Sequence, residues 1–316
     1  MKKLAVTILL GFVGFTLHAQ NDIDALRYSL LSPTGSTAKS LSIGGAIGTV
    51  GADPSAALVN PAGLAQYRNS VFNASVGSFS VKNSSAYFGN NTNAPSVFRP
   101  NLPSINLVST DIRLRKGFPA KKGWVNTSFL IGWNKVADFN RTISYKGTNE
   151  QSSYTDFVAD YVGGLNASDL DANQEQLDRG FYYFENMFWY SYLIDSASNG
   201  SYFGNYDNIA PNQYQEGQII SRGGMNELNL TLAGNYEHKV YFGAAINATN
   251  VRCEETNRFT EFDNSGTAFN YNSFYFTRNL ETSGWGVNGR IGLIFRPSNS
   301  IRIGGTIHTP TLLRLT

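Results

Sequence analysis

Five stretches of this sequence alternate apolar with polar or small residues at every second position. In Trp124–Asn134, Val125, Thr127, Phe129, Ile131 and Trp133 alternate with Asn126, Ser128, Gly132 and Asn134, and Leu130 is the exception. In Asn226–Tyr236, Leu228, Leu230 and Leu232 alternate with Asn229, Thr231 and Ala233. Lys239–Thr249, Gly284–Arg296 and Ser300–Thr309 repeat the pattern, and Val71–Val81 and Ile105–Arg115 carry it more weakly. A period of two is that of a strand with two unlike faces. Each segment is close to the ~9–11 residues that a tilted strand needs to cross a bilayer.

The connections sharpen this expectation, because they alternate in length. Lys82–Ser104 is long and Lys116–Gly123 short; Lys135–Met225 is very long and Glu237-His238 a tight turn; Asn250–Ser283 is long and Pro297-Ser298-Asn299 tight. A soluble all-β sandwich spaces its strands more evenly. Outer-membrane barrels have short periplasmic turns and long extracellular loops. The expected fold is therefore all-β, a transmembrane antiparallel β-barrel in the outer membrane of a Gram-negative bacterium. The first strand runs outward, and an extracellular insertion spans residues 135–225.

Composition agrees. Only 15% of the 316 residues are charged and 13% are aromatic, against about 25% charge in a typical soluble domain. After residue 20 no apolar run reaches the ~20 residues of a membrane-spanning helix. A net charge of +2 lacks the concentrated basic surface that nucleic acid requires. The N-terminus, MKKLAVTILLGFVGFTLHAQ, reads as a secretory signal peptide over residues 1–19, with Lys2 and Lys3 ahead of an apolar core. Cys253 is alone, so no disulfide framework forms within the chain.

Seven strands in residues 71–316 is an odd number, whereas a single-chain bacterial barrel closes with an even one. An open edge in lipid leaves unpaired backbone groups. The expectation is an N-terminal part of a longer chain, monomeric when full length, rather than several chains sharing one barrel.

Residues 20–70 show no strand alternation. They hold a run of small residues, GSTAKSLSIGGAIGTVGADPSAALVNPAGLA, in which Pro61 halts regular structure. Such a segment suits a plug folded back into a lumen better than a flexible tether. Here the sequence resembles the FadL family of outer-membrane transporters for long-chain fatty acids and other hydrophobic compounds. The resemblance rests on Gly35-Ser36-Thr37-Ala38, Gly44-Gly45-Ala46, Ala52-Asp53-Pro54-Ser55 and Asn60-Pro61-Ala62. It is supported by the long connection after the third strand and by SGWGVNGRIGLIFRPSNSIRIGGTIHTP. The resemblance implies a barrel closed by an N-terminal hatch, with passive passage of ligand through the hatch and out laterally between strands. It implies that Gly44, Gly45, Ala46, Asp53, Asn60, Pro61 and Ala62 form the plug. Family members carry a second Asp where Pro54 stands, so a role for that carboxylate does not carry over.

A hydrophobic ligand, a fatty acid or an aromatic compound, needs an apolar slot with few polar anchors. Burying a sixteen-carbon tail is worth about 12 kcal/mol at ~0.8 per methylene, so a cation would orient the head group rather than set affinity. By parity Arg290, Arg302 and His308 face inward, and Lys39 lies on the plug; each is a candidate anchor or a lumen charge balancing nearby acids. In the insertion, Ser168-Asp169-Leu170-Asp171 resembles a capping box opening a short helix that Gly180 ends. The stretch FYYFENMFWYSY follows, with Phe181, Tyr182, Phe184, Phe188 and Trp189 as ligand-binding candidates. It reads either as a landing surface for a greasy molecule or as part of the outer aromatic girdle.

No spacing suggests a catalytic set, a zinc site or a dinucleotide fingerprint, so neither enzyme, metal nor cofactor is expected. The alternative function is a surface receptor or adhesin using the long loops, including haem capture through tyrosine. A general aqueous porin is disfavoured by the plug.

Overall fold

The computed structural model describes residues 36–171, 183–197, 200–204, 212–264 and 272–316. The expected signal peptide and the start of the plug, Gly35 included, lie outside them, as do Phe181, Tyr182 and the expected helix end at Gly180.

The chain begins with short helical turns: α1 (Ala38–Ser42), α2 (Ala56–Val59) and a 3-10 turn (Pro61–Gln66). A large antiparallel sheet of nine strands follows: β1 (Val71–Val81), β2 (Val97–Ile112), β3 (Trp124–Asp138), β4 (Arg141–Asn149), β5 (Gln213–Tyr236), β6 (Val240–Asp263), β7 (Ser273–Phe295), β8 (Ile303–His308) and β9 (Leu312–Leu315). β3 and β4 lie end to end along β5, and β8 and β9 lie end to end along β7. Seven rows result, in sequence order, and each of the seven alternating segments overlaps one of them, although Ile105–Arg115 runs past the end of β2 at Ile112. Among the described residues no helix is long and apolar enough to cross a membrane.

The sheet's polarity is inverted relative to a soluble domain. Leu230 and Leu232 of β5, Ile246 of β6, and Ile291 and Leu293 of β7 point to the exposed face. On the covered face lie Asn106, Asn134, Glu227, Asn229, Thr231 and Asn247, all buried. Asn229, Thr231 and Asn247 belong to a side-chain relay that crosses the strands. Thr231 Oγ1 donates to Asn229 Oδ1, Asn229 Nδ2 to Asn247 Oδ1, Asn247 Nδ2 to Asn288 Oδ1 and Asn288 Nδ2 to Thr311 Oγ1. On β7 the exposed apolar belt runs from Trp285 to Phe295, ten steps of about 3.4 Å or roughly 34 Å along the strand.

The strands outrun the expected lengths. β5 and β6 have 24 residues each and β7 has 23. The insertion is correspondingly shorter than 135–225, because residues 135–138, 141–149 and 213–225 are strand. Likewise most of Asn250–Ser283 is strand, and Lys82–Ser104 holds a small hairpin, Ser84–Tyr87 with Asn90–Asn93, and the start of β2. The physical reason is that beyond Trp285 the outward side chains become charged. Arg252 pairs with Glu254 and Glu281 there, so the apolar–polar contrast disappears while the backbone ladder continues.

The insertion folds over the covered face of these extensions as α3 (Tyr154–Tyr161), α4 (Ala167–Leu170) and α5 (Tyr183–Tyr190). The cap of α4 is Asn166, with Asp169 closing the box, and not Ser168. The helix therefore starts one residue before the expected cap. Val158, Val162, Leu170, Phe188 and Ile194 form its small core.

Candidate functional site

Two features occupy the covered face, one toward the short-turn end and one among the strand extensions. The first is the seat of the N-terminal segment. Ala57, Ala62, Leu64 and Ala65 pack on Val108, Leu130, Ala233, Tyr241 and Ile294. Leu130, the exception in its strand's alternation, is an apolar landing point on an otherwise polar wall.

The contact is close because the wall is glycine where the segment touches it. A Cβ on Gly292 would stand 2.0 Å from Asn60 Oδ1, and one on Gly243 2.4 Å from the Pro61 carbonyl carbon. Asn60 caps the 3-10 turn through Oδ1, which accepts Ala62 N–H at 3.0 Å, while Nδ2 donates to Leu293 O at 3.4 Å. Pro61 then sits at the first position of the turn, where its missing N–H costs nothing. Polar clips fasten the rest. Ser36 Oγ donates to Asn134 Oδ1 at 2.6 Å, and Asn126 Nδ2 donates to Ala65 O at 3.2 Å and Tyr67 O at 2.6 Å.

Asp53 organises the segment from within. Its buried carboxylate accepts Thr37 Oγ1 at 2.8 Å and Ser55 N–H at 2.8 Å, and Thr37 in turn caps α1. Burial, with Asp53 nearby, pushes the Tyr67 phenol well above its usual range. Gly44 and Gly45 hold left-handed φ angles of 63° and 80°, which glycine adopts without strain; the adjoining Ala46 is exposed.

The sequence-expected cations gather at this seat. Arg302 Nη1 donates to Val50 O at 3.1 Å and Gln66 Oε1 at 2.9 Å, and His308 Nε2 lies 3.2 Å from Val59 O. Exposed Lys39 reaches Ala52 O at 3.5 Å. Arg290 is engaged elsewhere, in a buried bidentate pair with Glu227.

The second feature is a cavity of about 970 Å³ between the insertion and the strand extensions. Tyr154 of α3, Phe184 and Met187 of α5, Phe259 of β6 and Phe276 of β7 line it, with Tyr87 and Tyr145 on one side. The Tyr154 ring centroid lies 4.9 Å from those of both Phe259 and Phe276. Arg278, exposed, is the cation of the lining. Burial raises the Tyr154 phenol pKa, Tyr145 adds to the rise, and Arg278 opposes it, so Tyr154 lines the cavity as a neutral ring.

Fully buried Glu261 fixes this wall. Its carboxylate accepts Ser153 Oγ, Tyr154 N–H at 3.0 Å and Gln215 Nε2 at 2.6 Å. Gln215 Oε1 accepts the Tyr87 hydroxyl at 2.6 Å. One carboxylate thus ties the start of α3 to the strands and, through Gln215, to the opposite tyrosine.

Of the aromatic candidates, Phe184 lines the cavity and Phe188 is buried behind it against Phe274 and Phe276. Trp189 stands to one side, its Nε1 donating to Asp171 Oδ1 at 2.9 Å. The aromatic and cationic candidates are not brought together. Arg290 is twelve steps along β7 from Arg278, about 40 Å at 3.4 Å per residue. Tyr87, Tyr145, Tyr154, Phe259, Phe276 and Arg278 were not among the candidates. Their signal was the shared parity of Phe274, Phe276 and Arg278 in a stretch counted as loop.

A half-open, mainly apolar space of this size, with one cation at its edge, suits an amphipathic or aromatic molecule. Compared with known protein families, curated proteins and solved structures, the chain matches none.

Proposed function

We propose that this chain forms part of an outer-membrane β-barrel that passes hydrophobic molecules, long-chain fatty acids among them, with the N-terminal segment as its movable plug. The observation that carries the reading is the segment 36–67 seated on the polar face of a sheet whose opposite face is an apolar belt. At the tilt of about 40° that barrel strands adopt, the roughly 34 Å apolar run on β7 would stand about 26 Å tall, close to the lipid-facing band of a barrel (~25 Å). A packed segment of small residues on the inner face is what a closed lumen requires. The aromatic cavity supplies a place for ligand to collect before the plug.

Movement of the plug has a physical basis in its fastening. Its clips are hydrogen bonds and small apolar contacts, with no ion pair to the wall among the described residues. Gram-negative cells expressing the protein should take up radiolabelled oleate faster than cells without it. Equal rates would overturn the reading.

Four tyrosines around the cavity, Tyr183 with the three above, favour a second reading, a surface receptor that captures haem through a tyrosine. A haem titration lacking a Soret shift would dispose of it.

A further inference from the structure

We infer that the short-turn end of the sheet carries a binding collar for the phosphate groups of anionic phospholipids. The inference rests on the membrane reading above and concerns a surface which that reading leaves unused.

The turn between β2 and β3 holds Arg113, Arg115, Lys116, Lys121 and Lys122, all exposed. The neighbouring turns of the same end add Lys239, exposed, and Arg296. Against them stand Asp111 and Glu237, and Glu237 Oε1 is already taken by Gly123 N–H at 3.1 Å. Among the described residues none of these cations forms an ion pair with a carboxylate. The opposite end has the reverse balance. The described part of the insertion carries Asp156, Asp160, Asp169, Asp171, Glu185 and Asp195 and no Lys or Arg. The strand extensions beside it mix Arg141, Lys146, Arg252 and Arg278 with Glu216, Glu254, Glu255 and Glu281, so an excess of cations is a feature of the short-turn end.

Depth commits this surface to lipid. The apolar belt ends at the short turns in an aromatic group, where Trp124 and Phe242 meet edge to face at 5.1 Å, with exposed Tyr236 and Phe295 in the adjoining rows. Gly234 makes room for it, since a Cβ there would stand 2.8 Å from the Trp124 ring. Aromatic side chains of this kind mark the membrane–water boundary. Lys122 is two residues beyond Trp124, Lys239 adjoins the first residue of β6, and Arg296 follows Phe295 directly. At about 3.4 Å per residue, these cations stand ~3–7 Å past the belt. That is the thickness of one headgroup layer, roughly 5–7 Å. A soluble acidic partner would not need its cations at this depth. Phosphodiesters of the leaflet lie there.

The test uses the protein reconstituted in phosphatidylcholine vesicles, with spin-labelled phosphatidylglycerol and spin-labelled phosphatidylcholine as probes. The relative association constant at the protein boundary should favour phosphatidylglycerol several-fold at low salt and fall toward one as salt rises. The variant K121E/K122E/K239E should abolish the preference. The milder K121Q/K122Q/K239Q, which retains the turn with neutral side chains, should reduce it strongly. Equal association of both probes with the unmodified protein overturns the inference and leaves the membrane reading standing, as does a preference that survives in both variants. A protein that enters no vesicle overturns both.

Discussion

Arg290 of β7 grips Glu227 of β5 across the intervening strand, with Nη1–Oε1 and Nη2–Oε2 both at 2.7 Å. The two side chains are 5% and 3% exposed. Such a pair gains Coulomb energy but loses the hydration of two ions, so its net worth is small while the cost of halving it is large. Glu227→Gln should therefore destabilise the protein by about 3–5 kcal/mol. Glu227→Leu combined with Arg290→Met should restore most of that loss. Urea unfolding in vesicles, compared across the single and double variants, checks both expectations.

The glycine seat makes a second prediction. Gly243→Val places side-chain atoms where the Pro61 backbone now lies, 2.4 Å from the position of a Cβ. The backbone of β6 cannot retreat without breaking its ladders to β5 and β7, so the segment 36–67 should lift. Its susceptibility to protease should rise with little change in sheet content by circular dichroism. Oleate uptake should increase if the segment is the plug; an unchanged rate with a lifted segment would argue against that role.

For the cavity, aromatic area and charge should separate. Phe276→Ala removes ring surface shared with Tyr154 and Phe259 and should weaken binding of a fluorescent fatty acid by roughly 2 kcal/mol. Arg278→Ala should cost no more than about 1 kcal/mol, because its side chain is exposed to solvent. A neutral aromatic probe should feel the first substitution and ignore the second.

The β5–β6 turn should respond to acid. His238 has its pKa lowered below the usual 6.5, first by burial and then by Arg68 and Arg296. Asn235 Nδ2 approaches His238 Nδ1 at 3.2 Å, an arrangement that needs this nitrogen unprotonated to accept. In the window between the lowered folded value and about 6.5, the unfolded chain binds more protons than the folded one. Stability contributed by His238 is thus complete above about 6.5 and is lost as pH falls through that window. His238→Gln should remove this part of the pH dependence, measured as the difference between the two unfolding curves from pH 8 to 5.

The same turn carries backbone strain. Glu237 and His238 both hold left-handed φ angles, 54° and 55°, the geometry of a two-residue turn that prefers Asn-Gly. Replacing the pair with Asn-Gly should stabilise the protein by about 1 kcal/mol, less the lost contact of Glu237 with Gly123 N–H.

The alternating cores of seven strand rows, their two faces and the end with the tight turns were legible in the sequence, whereas β4 and the long extensions of β5, β6 and β7 were not. Strand periodicity is a local property: alternate side chains must fall on opposite faces whatever the partner strand is. Leu130 was visible as an exception to that rule, and only the packed structure gave it a purpose under the N-terminal segment. Tertiary structure alone decided how far the strands continue, since past Trp285 the outward face turns polar, the covered face mixes Phe259, Phe274 and Phe276 with Glu261 and Arg278, and only the ladder between β6 and β7 defines them. It alone assembled the cavity, whose Tyr87, Tyr154 and Phe276 come from segments far apart in the chain. It also settled that Arg290, inward by parity, faces a carboxylate. Parity assigns a side chain to a face, whereas the neighbour it meets there depends on register between strands, which no single segment encodes.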